Sequence, residues 1–246
     1  PQRARREAAI LQTLSSAALD ISLPRVLDGP IDFEDRSLTL LTAVSGLARH
    51  DLTTLLPGDL VEYRRVLDTL QDVHVDRVAE LPAPRAWCGG GDWPRLVKEN
   101  LVPLLDAKIG ALAMERTRAT IRIESEAEPR LRHGDFGPHN ALWNDGHISG
   151  LIDFDHACVG DPAIDLAPLV GFYGSSAIAS VCSTAELSRA LVHRASLPLQ
   201  VAAAAHVTGS DQLRDHALRN FELRASAGTL YDPEGRRPLG DVDRRE

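Results

Sequence analysis

The sequence has 246 residues, of which 43% are apolar and 25% are charged, a composition typical of a globular core in one large domain or two modest ones. Its 35 acidic residues outnumber its 27 Lys and Arg residues, and the net charge of −8 argues against a nucleic-acid-binding protein that relies on neutralising phosphates. Three widely spaced cysteines (Cys88, Cys158 and Cys182) indicate neither a disulfide framework nor a zinc site. No apolar run approaches the roughly 18 residues of a membrane span, so we expect a cytoplasmic protein without a membrane partner.

The first 45 residues predict a helix followed by two strands. Apolar residues at helical spacing, among them Ile10 and Leu14, predict an amphipathic helix over residues 3–18. Two apolar runs, residues 23–29 and 37–44, are separated by acidic turn residues and predict two strands. Gly46 follows the second strand and is a candidate hinge, because glycine adopts backbone conformations that other residues avoid.

The middle and the end of the chain predict mainly helices. Leu60, Tyr63 and Leu67 recur at helical spacing after a start signal at Pro57, and residues 93–114 are expected to be mostly helical. The loop over residues 81–92 contains three consecutive glycines. No strand precedes them and no Gly-Lys-Ser/Thr follows, so the loop is interpreted as a flexible connector and not as a phosphate-binding loop. Beyond Ala167 the pattern is helical, and the tail from Tyr231 is predicted to be loose.

The residues that indicate a function lie in an acidic stretch over residues 133–167. It contains no Lys or Arg and holds six aspartates: Asp135, Asp145, Asp153, Asp155, Asp161 and Asp165. Within it, residues 140–143 and 148–152 predict two strands, and Asn144-Asp145-Gly146 is a strong signal for the hairpin turn between them. Because Asn140 starts the first strand and Asp153 follows the second, the hairpin is expected to bring them to the same end.

The spacing of polar residues in this stretch corresponds to a catalytic loop. His133-Gly134-Asp135, four residues and Asn140 match the His-Arg-Asp-x-x-x-x-Asn spacing of protein kinases. In that loop the aspartate accepts the proton of the attacking hydroxyl and the asparagine ligates Mg²⁺. The spacing therefore predicts Asp135 as the catalytic base. Asn140 and Asp153 are predicted to ligate Mg²⁺, since this ion prefers hard oxygen ligands.

The segments HGDFGPHN (residues 133–140) and IDFDHACVGDPAIDLA (152–167) resemble the aminoglycoside phosphotransferase family, which includes antibiotic and choline kinases. The resemblance is specific over residues 131–168 and looser over 3–76. It implies an α+β, protein-kinase-like fold of two lobes. The expected division is a small β-rich N-lobe over residues 1–45, a larger helical C-lobe over 46–230, and a tail over 231–246. ATP and Mg²⁺ are the implied cofactors, and a small-molecule hydroxyl is the implied acceptor.

The resemblance also assigns residues of the nucleotide site. The helix over residues 3–18 corresponds to the glutamate-bearing helix of the N-lobe, and Glu7 is expected to pair with a lysine that positions phosphate. Thr42, Ala43 and Val44 correspond to the strand and hinge whose backbone contacts adenine.

One part of the family pattern is not found among the residues before Glu7. The family has a glycine-bearing hairpin and a strand lysine upstream of the glutamate-bearing helix, whereas the lysines of this chain are Lys98 and Lys108. The sequence interpretation therefore expects about 60 to 80 residues of a small lobe before Pro1.

Other polar residues of the acidic stretch are expected to support the site. His133 is expected to hold the catalytic loop by hydrogen bonding rather than to act as an acid or base. Asp155 is a candidate contact for substrate or for a metal-bound water. Asp161 before Pro162 is typical of a helix N-cap, and Asp165 is expected to brace the catalytic loop. The histidines at 139, 147 and 156 are scattered and are expected at the surface or in packing roles rather than at zinc.

Together these features predict an ATP- and Mg²⁺-dependent phosphotransferase that moves the γ-phosphoryl group to a hydroxyl of a small molecule. An aminoglycoside or another cationic antibiotic is the leading acceptor class because the site is acidic. A macrolide, a viomycin-type peptide, homoserine and choline stay open as acceptors. Two other classes stay open as well, a metal-dependent phosphohydrolase and a nucleotide-binding pseudoenzyme.

Overall fold

The computed structural model describes residues 2–17, 19–34 and 36–239. The helices and strands follow in this order: α1 Gln2–Leu14, β1 Val26–Phe33, β2 Arg36–Leu41, β3 Leu47–Ala48, α2 Asp59–Gln71, α3 Trp93–Leu96, α4 Ala107–Glu126, β4 Arg130–Arg132, β5 Ala141–Asn144, β6 His147–Leu151, β7 Cys158–Gly160, α5 Ala163–Ile178, α6 Thr184–Val207 and α7 Asp211–Ser226. The strands form three small antiparallel sheets, β1-β2, β3-β5-β6 and β4-β7. In the part of the chain with described structure, no helix is both long enough and apolar enough to cross a membrane.

The N-terminal helix and hairpin agree with the predicted order of elements, with shifted bounds. α1 buries Ile10, Leu11 and Leu14, and it ends four residues before the predicted end at residue 18. The first strand begins and ends later than predicted, and β2 ends at Leu41 instead of Val44. The segment between β2 and β3 therefore runs as a short linker into the sheet that carries the acidic stretch.

An aromatic cluster joins α2 to the acidic stretch. The buried Tyr63 ring makes edge-to-face contacts with Phe136, at a centroid distance of 5.9 Å, and with Trp143, at 5.6 Å. Phe136 follows the predicted base and Trp143 lies in β5. Because such contacts stabilise beyond their buried area, α2 fixes the loop and the hairpin against one another.

The hairpin β5-β6 has the two-residue turn that the sequence predicts. Asp145 and Gly146 have φ angles of 48° and 81°, the left-handed values required at both central positions of a type I′ turn. The strands differ slightly from the prediction, because Asn140 ends a 3₁₀ turn over residues 138–140 and β5 starts only at Ala141.

The predicted helix over residues 93–114 is interrupted. α3 ends at Leu96, a π-helical turn and a 3₁₀ turn follow, and α4 begins at Ala107. Pro103 lies at the interruption, where its missing N–H cannot join a helical ladder. Asp106 then caps α4 by accepting a hydrogen bond from the Ile109 N–H at 2.9 Å.

The prediction of a loose tail from Tyr231 is wrong for its first residues. Tyr231 and Asp232 are buried, and Asp232 accepts hydrogen bonds from the Ser175 N–H at 3.1 Å and from its hydroxyl at 2.5 Å. These bonds satisfy the backbone beside Gly174, which interrupts α5 with a φ of 78°. The last seven residues of the predicted tail lie outside the described residues.

Candidate active site

The catalytic loop, residues 133–140, is held by Asp165 of α5. The buried Asp165 carboxylate accepts hydrogen bonds from the backbone N–H of His133 at 3.0 Å and of Gly134 at 2.8 Å. A Cβ on Gly134, which has a φ of 84°, would collide with the carbonyl of His156. Glycine is therefore needed where the loop passes this neighbouring turn. From the sequence, Asp165 is expected to brace the catalytic loop, and these two hydrogen bonds are of the kind that such a brace would make.

His133 links the catalytic loop to the strand that leads into Asp153. Its Nδ1 accepts a hydrogen bond from the Asp135 N–H at 3.3 Å, and its Nε2 lies 2.9 Å from the carbonyl of Ile152. Since Nδ1 accepts, the neutral ring carries its proton on Nε2 and donates it to Ile152. The ring is buried and packs 4.4 Å from the Phe154 ring, centroid to centroid. These contacts give His133 a structural place within the loop.

Asp135 is accessible within these buried surroundings. Its side chain is 37% exposed, so a hydroxyl group from solvent can approach it. The Asn140 side-chain amide donates hydrogen bonds to the Asp135 backbone carbonyl at 2.9 Å and to its carboxylate at 3.3 Å. His139 Nε2 lies 3.4 Å from the same carboxylate oxygen. The loop thus holds the carboxylate from one side and leaves the other side open.

Opposing effects act on the pKa of Asp135. Burial raises this pKa, but the hydrogen bond and charge of His139, with smaller contributions from His133 and His156, lower it below its usual value. The same hydrogen bond raises the pKa of His139 against the effect of burial. Asp135 is therefore ionised at neutral pH, as a proton acceptor must be.

Asn140 and Asp153 lie side by side at the open end of the hairpin. The Ile152 N–H donates to the Asn140 carbonyl at 3.1 Å, and Asp153 is the next residue. The Asn140 amide nitrogen is used by Asp135, which leaves its Oδ1 as the atom able to ligate a cation. Asp153 has a φ of 63°, a left-handed conformation that aspartate tolerates better than most residues and that often occurs at functional sites.

The two oxygen donors of Asn140 and Asp153 fit a Mg²⁺ ion. Magnesium binds through one or two protein groups and keeps its remaining positions for phosphate oxygens and water. Among the described residues, no three His, Cys, Asp or Glu side chains are grouped to hold a metal ion. Two protein donors are the number that Mg²⁺ takes when phosphate oxygens and water fill its other positions.

Arg3 of α1 covers the Asp153 carboxylate. Its Nη2 donates to both carboxylate oxygens of Asp153, at 2.8 and 3.0 Å, and its Nε lies 2.7 Å from Asp155 Oδ2. Arg6 donates from Nε to the Asp155 backbone carbonyl at 2.8 Å. The Asp155 side chain is 3% exposed and anchors α1, so its contact with substrate or with a metal-bound water stays a prediction.

Burial and neighbouring carboxylates shift two further acidic groups. Burial raises the pKa of Asp155 to about 6, opposed by Arg3 and Arg6 and increased by the charge of Asp153. Glu7 on α1 is half-buried, and burial together with the charges of Asp153 and Asp155 raises its pKa. Glu7 thus faces the predicted metal site, as a residue positioning a phosphate-binding lysine would have to.

The expected adenine-contacting segment lines a cavity of about 330 Å³ beneath the end of α1. The Thr42 N–H donates to the Arg25 carbonyl, and the Thr42 hydroxyl accepts from the Arg25 N–H, each at 2.9 Å. Val44 packs against Gly150 of β6, whereas Ala43 is exposed. The polar groups of Thr42 are therefore used by the hairpin, which leaves residues 43 and 44 as the candidate nucleotide contacts.

Asp161 has a larger structural role than the N-cap predicted for it. Its carboxylate accepts from the Ala163 N–H at 2.9 Å, but α5 starts at Ala163, so Pro162 is not the first helical residue. The same carboxylate binds His193 at 3.0 Å and Arg189 at 3.1 Å, both on α6. Asp161 therefore ties the start of α5 to α6.

Sequence reasoning missed three residues near the site. Arg3 was only part of the helix predicted over residues 3–18, and His139 was assigned only to a surface or packing role. Arg132 is fully buried next to His133, and its Nη1 and Nη2 have no hydrogen-bond partner among the described residues. Burial lowers the pKa of Arg132, while the charge of Asp165 raises it. The four-residue spacing of Asp135 and His139 within the short catalytic loop was the one available signal.

The fold and the arrangement of the catalytic loop are those of a kinase-like phosphotransferase. The profile of the family described as "Phosphotransferase enzyme family" matches residues 1–205. The chain therefore belongs to this family, which confirms the family and the fold class expected from the sequence.

Individual relatives show the same relationship. The chain is 31% identical over 166 residues to viomycin phosphotransferase of Streptomyces vinaceus, covering 65% of this chain and 52% of that protein. It is 30% identical over 162 residues to homoserine kinase of Gluconobacter oxydans (strain 621H), covering 58% and 48%. The chain thus spans about half the length of these curated relatives. The GDP complex of wild-type aminoglycoside 2′-phosphotransferase-IIIa has the same fold, with a TM-score of 0.71, 15% identity, and coverage of 93% of this chain and 84% of that one.

Proposed function

We propose that this protein is an ATP- and Mg²⁺-dependent phosphotransferase that moves the γ-phosphoryl group of ATP to a hydroxyl group of a small-molecule antibiotic. The observation that carries this proposal is the grouping of an accessible, ionised Asp135 with Asn140 and Asp153. A base and two oxygen donors at one end of a hairpin are the protein groups that phosphoryl transfer requires.

In the proposed reaction, Asp135 orients the acceptor hydroxyl and accepts its proton. The hydroxyl oxygen bonds to the γ-phosphorus as the bond to the bridging oxygen of the β-phosphate breaks, and ADP leaves. A Mg²⁺ ion held by Asn140 and Asp153 would neutralise charge on the phosphate oxygens. His139 keeps Asp135 ionised, and Asp165 with His133 keeps the loop in position. Orientation supplies most of the rate enhancement in such a reaction, because little covalent work is asked of the protein.

The leading acceptor class is an aminoglycoside or another cationic antibiotic. The net charge of −8 attracts a cation, and the relationship to viomycin phosphotransferase supports an antibiotic as acceptor. Homoserine is a second candidate because a homoserine kinase is related at nearly the same identity.

An acceptor screen with γ-labelled ATP tests the proposal. The panel contains aminoglycosides, viomycin, a macrolide, homoserine and choline, each with and without Mg²⁺. We expect label to move to one antibiotic in a Mg²⁺-dependent manner, whereas label on homoserine alone would favour the metabolic kinase. Release of phosphate from a monoester without ATP, with no labelled acceptor in the panel, would contradict the proposal and identify a phosphohydrolase.

A further inference from the structure

The Arg3 guanidinium lies on the oxygens that a divalent cation would need. It donates to both oxygens of the Asp153 carboxylate, at 2.8 and 3.0 Å. Both contacts are made by Nη2, while Nε faces Asp155, and a directly coordinated Mg²⁺ ion would need the same lone pairs of the Asp153 carboxylate. The two cations therefore exclude each other at this carboxylate.

We propose that Arg3 and a divalent cation are alternative occupants of the Asp153 carboxylate, so that Arg3 is a positioning residue that holds Asp153 until the cation replaces it. The inference rests on the proposed role of Asp153 as a metal ligand. It adds a competitor for the metal, contributed by a helix 150 residues away in the sequence.

The exposure of the pair allows this exchange. The side chain of Arg3 is 65% exposed and that of Asp153 is 38% exposed, so the guanidinium can move into water while an ion enters from water. Exposed ion pairs are weak and are screened by salt. A cation that also binds Asn140 can therefore displace Arg3 without a large energetic barrier from this contact.

The neighbouring Asp155 stays neutralised after Arg3 leaves. Its side chain is 3% exposed, and Arg6 Nη2 lies 3.5 Å from the Oδ2 atom that Arg3 also contacts. An unpaired carboxylate at such a depth would be costly, but Arg6 keeps its contact. Arg3 is thus the residue of this group that can be released, whereas Arg6 stays as the anchor of α1.

The Arg3 guanidinium contacts a residue, Asp153, whose backbone has a left-handed conformation. With a φ of 63°, Asp153 has a conformation that an L-residue adopts only when its surroundings maintain it. The contact from Arg3 Nη2 restrains the Asp153 carboxylate on the side of α1. We infer that Arg3 keeps the ligand side chain in place before the ion arrives and then yields to it.

Arg5 supplies a matched control on the same helix. Its side chain is 60% exposed and pairs with Asp32 of β1, away from the candidate metal site. Arg3→Gln and Arg5→Gln each remove one exposed guanidinium from α1. Neither change touches Ile10, Leu11 or Leu14, which bury the helix, so both variants should unfold at nearly the wild-type temperature.

The test measures binding of Mn²⁺, as a paramagnetic substitute for Mg²⁺, by electron paramagnetic resonance at saturating ADP, because phosphate oxygens complete the coordination in the proposed site. We expect Arg3→Gln to bind Mn²⁺ more tightly than wild type by up to about five-fold, as removal of a competitor worth up to about 1 kcal/mol implies. Arg5→Gln should match wild type. In a second readout, saturating Mg²⁺ should raise the unfolding temperature of Arg3→Gln more than that of wild type, since tighter binding to the folded state stabilises it more.

Asp153→Asn distinguishes a failure of the competition between Arg3 and the cation from a failure of Asp153 as a metal ligand. If Asp153→Asn weakens Mn²⁺ binding and Arg3→Gln strengthens it, the inference is supported. Should Asp153→Asn weaken binding while Arg3→Gln equals Arg5→Gln or binds more weakly, the competition is refuted and the proposed metal ligand stands. Unchanged binding in Asp153→Asn would overturn the metal ligand itself, and the inference with it.

Discussion

The catalytic loop and the contact between α1 and Asp153 are two sides of one site that are built in opposite ways. The loop depends on buried bonds, in which Asp165 holds two backbone N–H groups and His133 joins the loop to Ile152. The α1 side depends on the exposed Arg3. Buried hydrogen bonds are costly to break, whereas exposed ion pairs are weak and screened by salt. The proposed base is thus fixed in advance, while the side of the proposed cation can be rearranged.

Among the variants that compare these two sides, Asp165→Ala is expected to have the largest effect on stability and on kcat. The variant leaves the N–H groups of His133 and Gly134 without their acceptor and removes the negative charge near the buried Arg132. Breaking a buried charged contact costs about 3 to 5 kcal/mol, and a displaced base costs about 100-fold in rate. We therefore expect the free energy of unfolding, measured with urea, to fall by about 3 to 5 kcal/mol. We expect kcat to fall by about 100-fold.

Asp68→Ala is the matched control for this change. Asp68 is 46% exposed in a pair with Arg64 one helical turn away, and its removal should cost less than about 0.5 kcal/mol. Equal effects of Asp68→Ala and Asp165→Ala would refute the buried brace. Asp165→Asn keeps one acceptor oxygen and should fall between the two variants in stability.

A smaller effect, on stability alone, is expected for Asp161→Asn. Burial raises the pKa of Asp161, but His193, the Ala163 N–H and Arg189 lower it below its usual value. Loss of the charge should cost about 3 kcal/mol at pH 7, the lower end for a buried pair, because Arg189 is 25% exposed. The measurement is urea unfolding of both proteins at several pH values.

The pH dependence of this effect has a definite sign. A group with a lowered pKa in the folded state stabilises the fold above its unfolded pKa, about 3.9 for aspartate, and loses this contribution as the pH falls through the folded value. The difference between wild type and Asp161→Asn should therefore shrink as the pH falls below about 4. A difference that grows in acid would contradict the assignment. Asp76→Asn, at an 88% exposed side chain, should show almost no difference at pH 7.

The smallest effect is expected on the α1 side. Arg5→Gln removes the exposed pair with Asp32 and should change the free energy of unfolding by less than about 0.5 kcal/mol. The remaining contribution should disappear in 1 M salt, where the screening length falls to about 3 Å. A loss of 2 kcal/mol or more would show that α1 is held by its charges and not by its buried apolar face.

Local signals predicted much of this architecture. The Asp145-Gly146 turn requires two left-handed residues, so the hairpin and the proximity of Asn140 to Asp153 could be inferred from chain order. The spacing between His133 and Asn140 likewise identified the loop, because a catalytic loop needs its base and ligand at set positions along a short segment.

Contacts between distant segments were beyond the sequence. Arg3 meets Asp153 across 150 residues, and no local pattern distinguishes it from Arg5 on the same helix. The burial of Asp232 against Ser175, 57 residues away, depends on the kink in α5 at Gly174. A polar, glycine- and proline-containing tail carries no periodic signal of that docking.

Phosphoryl transfer by Asp135→Ala tests the central claim most directly. The variant removes the base but leaves the Asn140 and Asp153 donors, so ATP should bind with an affinity close to that of wild type. Transfer to the acceptor identified in the screen should fall by about 100- to 10,000-fold, the contribution of a general base. Single-turnover transfer of label from bound ATP measures both quantities. Transfer at the wild-type rate with ATP fully bound would contradict the assignment of Asp135 as the base.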